Sequence, residues 1–186
     1  MQLHNALPMM LSILPFLFVS LFQAKDPASL IEWTSDKRLT WSDFKGTPDA
    51  GSTNAALTSS SITIEFGYSS RGMNYGIKCR FNTASSWGRI KNEHILAHEQ
   101  GHFDLAELHA RKLNKALKAY VFNSKTVSKD VNAIYDTIMK EHHQLQQEYD
   151  EATDHSRKVT AQKEWEEKIA VALKSLEKFQ EYRSAK

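Results

Sequence analysis

The spacing of apolar residues divides the chain into a β-rich first half and a helical second half. Apolar residues alternate with polar ones through residues 57–68 and again through 73–82. This spacing buries one face of each strand and exposes the other. The four residues between the runs, Ser69–Gly72, predict a turn and therefore an antiparallel hairpin. Cys79, the only cysteine, occupies an apolar position of the second strand, which predicts a buried thiol without a disulfide partner.

From residue 88 onwards the apolar residues recur at helical spacing. The pattern predicts a first helix over about 88–122, with Ser85–Ser86 as its candidate N-terminal cap. Two further helices are predicted over about 128–150 and 157–182. Since strands and helices occupy separate parts of the chain, the predicted fold class is α+β. A small antiparallel sheet is expected to pack on the long first helix, followed by the other two helices.

The N-terminus has the composition of an export signal. Residues 6–22 are almost wholly apolar and carry no charge, and Ala24 precedes a polar segment that contains Pro27. This order predicts a signal peptide over 1–24 and a single domain over 25–186, located in the periplasm or secreted. The alternative is an uncleaved membrane anchor, because about 18 apolar residues can cross a bilayer. No stable membrane insertion is expected once the signal is removed.

Composition excludes one class of partner. The net charge is only +2 in a chain of 186 residues, and no basic run carries interleaved aromatic residues. Nucleic acid is therefore not an expected partner.

Residues 98–102 read His-Glu-Gln-Gly-His, an HExxH sequence. Two histidines four apart lie on one face of a helix, so both imidazoles can reach one Zn²⁺ ion. Glu99 lies beside that metal without binding it, and from there it can act as the general base that deprotonates a zinc-activated water. His94 and His98 form a competing pair with the same spacing, but they enclose no glutamate at the second position. The motif therefore indicates His98 and His102 as ligands.

A catalytic zinc site needs a third protein ligand. The metzincin arrangement is excluded, because Leu105 and Leu108 stand where its glycine and third histidine would be. The candidate is His155, which lies at the break between the second and third helices. Glu107 and His142 are the alternatives.

Three segments together resemble a bacterial family of secreted, predicted zinc-dependent proteases that is catalogued as a domain of unknown function. They are Leu39–Gly46, Leu96–Glu107 with its HEQGHFD sequence, and Tyr149–His155 with the pattern Tyr-Asp-x-x-Thr-x-His. The resemblance spans nearly all of the mature chain and implies a zincin-like metallopeptidase with His98 and His102 as ligands and Glu99 as base. It also implies His155 as third ligand. The family commonly has glycine after this histidine, where the present chain has Ser156.

These patterns predict a secreted zinc-dependent peptidase that hydrolyses peptides or proteins. Tyr149 is a candidate hydrogen-bond donor to the oxyanion, and an edge strand of the hairpin could align an extended substrate. Two other functions fit the same residues. One is a non-catalytic metal-binding protein of the cell envelope, and the other is a zinc amidase that acts on cell-wall peptides.

Overall fold

The structure, a computed structural model, describes residues 29–182, so the predicted signal peptide at 1–24 lies outside the described residues. The fold is α+β, as the residue pattern predicts. The elements in chain order are β1 (Leu30–Glu32), β2 (Ala56–Leu57), β3 (Ser60–Ser69), β4 (Gly72–Asn82), β5 (Trp87–Gly88), α1 (Glu93–Ala119), α2 (Val127–Thr153) and α3 (Val159–Ser175). Two 3₁₀ turns lie at Trp41–Asp43 and Glu177–Phe179.

The predicted hairpin forms the main sheet, in which β4 is central and the order is β1-β4-β3. All pairs are antiparallel, and the register places Ile62 opposite Cys79 and Ile64 opposite Ile77. Ile62, Ile77 and Cys79 are buried, which confirms the predicted alternation. Burial also raises the pKa of the Cys79 thiol well above its ordinary value, so this cysteine is a core residue.

The predicted boundaries fail at two places around a second, two-stranded sheet. Leu57 was expected in the hairpin, and residue 88 was expected in a helix. Instead β2 pairs with β5, with Leu57 opposite Trp87. Two-residue strands are too short to show a period, so apolar spacing cannot reveal them.

The first helix therefore begins later than predicted, and its cap is a different residue. Asn92 is the N-terminal cap, and its side chain accepts a hydrogen bond from the Ile95 backbone N–H at 2.8 Å. The predicted cap at Ser85–Ser86 is wrong, because the Ser86 hydroxyl bonds the Asn82 carbonyl at 2.7 Å.

Helix α1 is the central element of the fold. It packs against the sheet on one side and against α2 and α3 on others. Phe81 and Phe103 meet between the sheet and α1, with ring centroids 5.8 Å apart. Because α1 is surrounded, many of its polar residues are buried, and each needs a partner inside the protein. Asp104, for example, accepts hydrogen bonds from Trp33 at 2.8 Å and Arg38 at 3.0 Å.

The helical half ends with a return of the chain to the sheet. Helix α3 stops at Ser175 instead of near 182, and a 3₁₀ turn follows at Glu177–Phe179. The Ile77 N–H then donates to the Tyr182 carbonyl at 3.2 Å, which attaches this last described residue to β4. None of the helices within residues 29–182 combines the length and apolar character needed to cross a membrane.

Candidate metal centre

Three side chains from two helices meet at one point. His98 and His102 lie one turn apart on α1, and Asp150 comes from the last turn of α2. Asp150 Oδ1 lies 3.1 Å from His98 Nε2 and 3.2 Å from His102 Nε2, and the two Nε2 atoms are 3.1 Å apart. Such a cluster of possible ligand atoms, all within 4.8 Å of one another, could hold a metal ion.

A hydrogen bond at Nδ1 orients each of the two imidazoles. His98 Nδ1 lies 2.9 Å from Gln162 Oε1, and His102 Nδ1 lies 2.5 Å from Gln146 Oε1. Each ring therefore turns its Nε2 toward the other ring and toward Asp150.

The charges in the cluster favour a cation. Partial burial would raise the pKa of Asp150, but the hydrogen bonds to His102 and His98 outweigh it and hold that pKa well below its usual range. Burial would likewise lower the pKa of His102, but its hydrogen bond to Asp150 and the charge of Glu99 raise it overall. An ionised carboxylate thus faces two imidazoles, which is a donor set suited to Zn²⁺.

Glu99 supplies a further observation that fits a bound metal. Its side chain is buried, and its Oε2 has no hydrogen-bond partner within residues 29–182. A buried carboxylate oxygen without a partner is costly, and such an atom in a native fold indicates a function or an additional bound group. The residues present therefore fit a bound metal ion close to Glu99.

The cluster lies in a cleft of about 390 Å³. One wall is the segment 54–60, which contains β2. The Thr58 hydroxyl in this segment donates to the Glu99 backbone carbonyl at 3.0 Å, so the wall is attached to the motif-bearing turn of α1. The opposite wall comes from α2 and from residues 155–156. His98, His102 and Glu99 line this cleft.

The family relationship follows from a comparison with known protein families. Residues 27–156 match the model of a family described as bacterial protein of unknown function, DUF922. The chain belongs to this family. No curated protein and no solved structure matches the chain. The matched range contains all three members of the cluster and ends before α3 begins.

In this DUF922 chain, His155 lies next to the cluster but outside it. Its Nδ1 is 3.4 Å from Asp150 Oδ1, and its side chain is half exposed at the cleft. The carboxylate that the structure places beside His98 and His102, as a candidate third ligand, is that of Asp150. A ligand role for His155 stays a prediction.

The segment that carries His155 has an uncommon backbone. Asp154, His155 and Ser156 all have positive φ, at 48°, 49° and 71°. Left-handed backbone is unfavourable for residues with a Cβ atom. These three residues turn the chain sharply between α2 and α3. The Ser156 carbonyl accepts a hydrogen bond from the His94 ring. His94 is therefore a partner of this turn and not a member of the cluster.

The turn gives a stability prediction. Ser156→Gly should raise the free energy of unfolding by about 1 kcal/mol, because glycine adopts positive φ without the Cβ penalty. Urea denaturation of the metal-free protein measures this change. Ser128→Gly, at an exposed helical position of α2, is the control and should not stabilise. A Ser156→Gly variant that is no more stable than the parent would show that the turn carries no such penalty.

The two alternative ligands lie outside the cluster, although His142 lines the same cleft. Glu107 is buried on α1, where Arg111 bonds its Oε1 at 2.8 Å and Tyr182 bonds its Oε2 at 2.5 Å. Both of its oxygens therefore have partners away from the cluster. His142 lies behind Gln146, whose Nε2 is 2.9 Å from His142 Nε2. Burial lowers the pKa of His142 to about 3, so its ring is neutral and accepts this hydrogen bond.

Tyr149 packs against the His98 side of the cluster. Its ring stacks on the His98 ring with centroids 4.6 Å apart, and its hydroxyl donates to the His98 carbonyl at 3.3 Å. A Cβ atom at Gly101 would lie 2.8 Å from Tyr149 Cζ, so only glycine fits at this position of the motif. The oxyanion role of Tyr149 stays a prediction, and it would require the buried hydroxyl to leave its present partner.

Sequence reasoning missed Asp150, Gln146 and Gln162. A signal for two of them was present, because Gln146 and Asp150 are four residues apart and so share one face of α2. Gln162 had no comparable signal, because the contact of α3 with His98 depends on how the chain turns at 154–156.

Proposed function

We propose that the protein is a zinc-dependent peptidase that acts outside the cytoplasm. The observation that carries this proposal is the buried Glu99, with its unpartnered Oε2, in the same cleft as His98, His102 and Asp150. A site that only stored metal would have no use for a buried carboxylate beside its ligands. Export is supported by the apolar segment 6–22.

The residues divide the chemistry between them. His98, His102 and Asp150 would hold the ion through two nitrogens and one oxygen, a ligand set of the kind that catalytic zinc sites use. When bound, zinc supplies a Lewis acid that polarises a carbonyl and makes water a nucleophile near neutral pH. Glu99 takes the proton of the attacking water at its carboxylate and returns it to the leaving nitrogen.

The wall of the cleft supports a peptide as substrate. Strand β2 belongs to a two-stranded sheet, so within residues 29–182 only one of its edges is paired. An extended peptide can add to an unpaired strand edge through main-chain hydrogen bonds. The cleft is lined by this wall, to which the β3–β4 hairpin contributes only Ser60, the first residue of β3. Such an arrangement would hold the scissile bond across the ligands and Glu99.

Metal removal tests the proposal. The mature chain should bind one zinc ion and cleave casein or a peptide library, and a chelator should abolish cleavage. Returning stoichiometric zinc to the dialysed protein should restore it. Zinc content by elemental analysis and fluorogenic cleavage are the measurements. A zinc-loaded protein that cleaves neither proteins nor cell-wall peptides would favour the non-catalytic metal-binding function.

A further inference from the structure

Two glutamine side chains contact the imidazoles on the side away from Asp150. Gln146 Oε1 meets His102 Nδ1 and Gln162 Oε1 meets His98 Nδ1, at the distances given above. An amide can present either its oxygen or its nitrogen to a ring, and the choice decides which ring nitrogen carries the proton. The partners of the other amide atom make this choice.

For Gln146 the orientation follows from a carbonyl. Its Nε2 lies 2.9 Å from the His102 backbone oxygen, which can only accept a hydrogen bond. The second proton of this amide points to His142 Nε2. A flipped amide would place two oxygens against each other. Oε1 therefore faces His102, and the proton of that ring lies on Nδ1.

For Gln162 the orientation follows from a phenol and a carboxylate. Its Nε2 lies 2.7 Å from the Tyr149 hydroxyl, whose own proton is directed to the His98 carbonyl. The same amide nitrogen lies 3.0 Å from Glu166 Oε1. Both neighbours require a donor, so Oε1 of Gln162 must face His98. The proton of the His98 ring then also lies on Nδ1.

We infer that Gln146 and Gln162 are positioning residues, each of which holds the Nδ1 proton of one histidine in place, so that Nε2 is the nitrogen left to bind the metal. This inference rests on the proposed zinc site and names the groups that prepare it. Partners of ligating histidines fix the ring orientation and tautomer. Amides do so without adding charge, which leaves Asp150 as the sole anionic side chain in the cluster.

The test compares isosteric apolar variants. Gln146→Met and Gln162→Met keep the side-chain length but remove the acceptor. Each should weaken zinc binding by about 10–100-fold, because the metal must then also select the ring orientation. Zinc affinity of the mature chain is measured by competition with a chromophoric chelator. Gln147→Met, at the neighbouring exposed position of α2, is the matched control and should bind as the parent does.

A second readout separates positioning from packing. In the zinc-loaded parent, the Nδ1 protons of both ligands should give slowly exchanging, downfield proton resonances. Gln146→Met should remove the resonance of His102 and keep that of His98, and Gln162→Met should do the reverse. Gln146→Glu restores an acceptor and should recover zinc affinity, although its second oxygen faces the His102 carbonyl and lowers the free energy of unfolding.

The outcomes distinguish this inference from the function on which it rests. A parent chain that binds no zinc would refute the proposed function and the inference together. A parent that binds zinc, with Met variants that bind it equally well, would refute the inference alone. Equal losses in the Met and Glu variants of Gln146 would also refute it, since they would assign the effect to packing.

Discussion

Asp150→Ala should abolish stoichiometric zinc binding. The variant removes one of three clustered ligand atoms and leaves the two imidazoles without an anionic partner. Removal of a hydrogen bond that supports a ligand lowers metal affinity by about 10–100-fold. The loss of zinc affinity in Asp150→Ala should be larger than this. His155→Gly should keep zinc near stoichiometry, and glycine is the replacement of choice because residue 155 has a φ of 49°. Elemental analysis after dialysis measures both variants.

The control is another carboxylate of the same helix. Asp136 is exposed on α2, and Asp136→Ala should leave zinc content unchanged. The opposite pattern, in which His155→Gly loses zinc and Asp150→Ala keeps it, would return the third-ligand role to His155. Such a result would mean that the left-handed turn moves on metal binding and replaces the carboxylate with the imidazole.

The parts of the site that could be predicted are local. The placement of His98 and His102 on one helical face needs only the four-residue spacing, and the structure has both on α1. The alternation of Ile62, Ile64 and Ile77 likewise needs only the strand period. In each case the information lies within one element, and no knowledge of its neighbours is required.

The parts that could not be predicted depend on contacts between elements. Asp150 lies among charged residues near the end of α2, where a carboxylate is usually solvated. Its position beside the two histidines arises because α2 packs on α1 at His102, and because Gly101 leaves room for Tyr149. Helical periodicity states which face of α2 is apolar, but not which turn of α1 it meets.

The conformation of the turn that carries His155 could not be predicted, for a physical reason. Residue types placed this histidine at a helix break, but they did not reveal the backbone of that break. Three successive residues with positive φ direct the chain toward α3 and leave the His155 side chain half exposed.

Glu99→Gln should leave zinc bound and reduce peptide hydrolysis by at least about 10²–10⁴-fold. The amide has the shape of the carboxylate but cannot take a proton from water. Since Glu99 is not in the group of three ligand atoms, the metal should stay in place. Its backbone carbonyl, which holds Thr58, is also unaffected by the change. Initial rates on a fluorogenic peptide, with zinc content measured on the same sample, test both parts.

Glu93→Gln is the matched control, because Glu93 is exposed in the first turn of the same helix. It should cleave at the parent rate.

Three results of the Glu99 variant have distinct meanings. Lost cleavage with retained zinc supports the base. Lost zinc would make Glu99 a ligand or a structural support. Full activity would show that the proton of the attacking water goes to another group, and the half-exposed His155, which lines the same cleft, would then be the residue to replace.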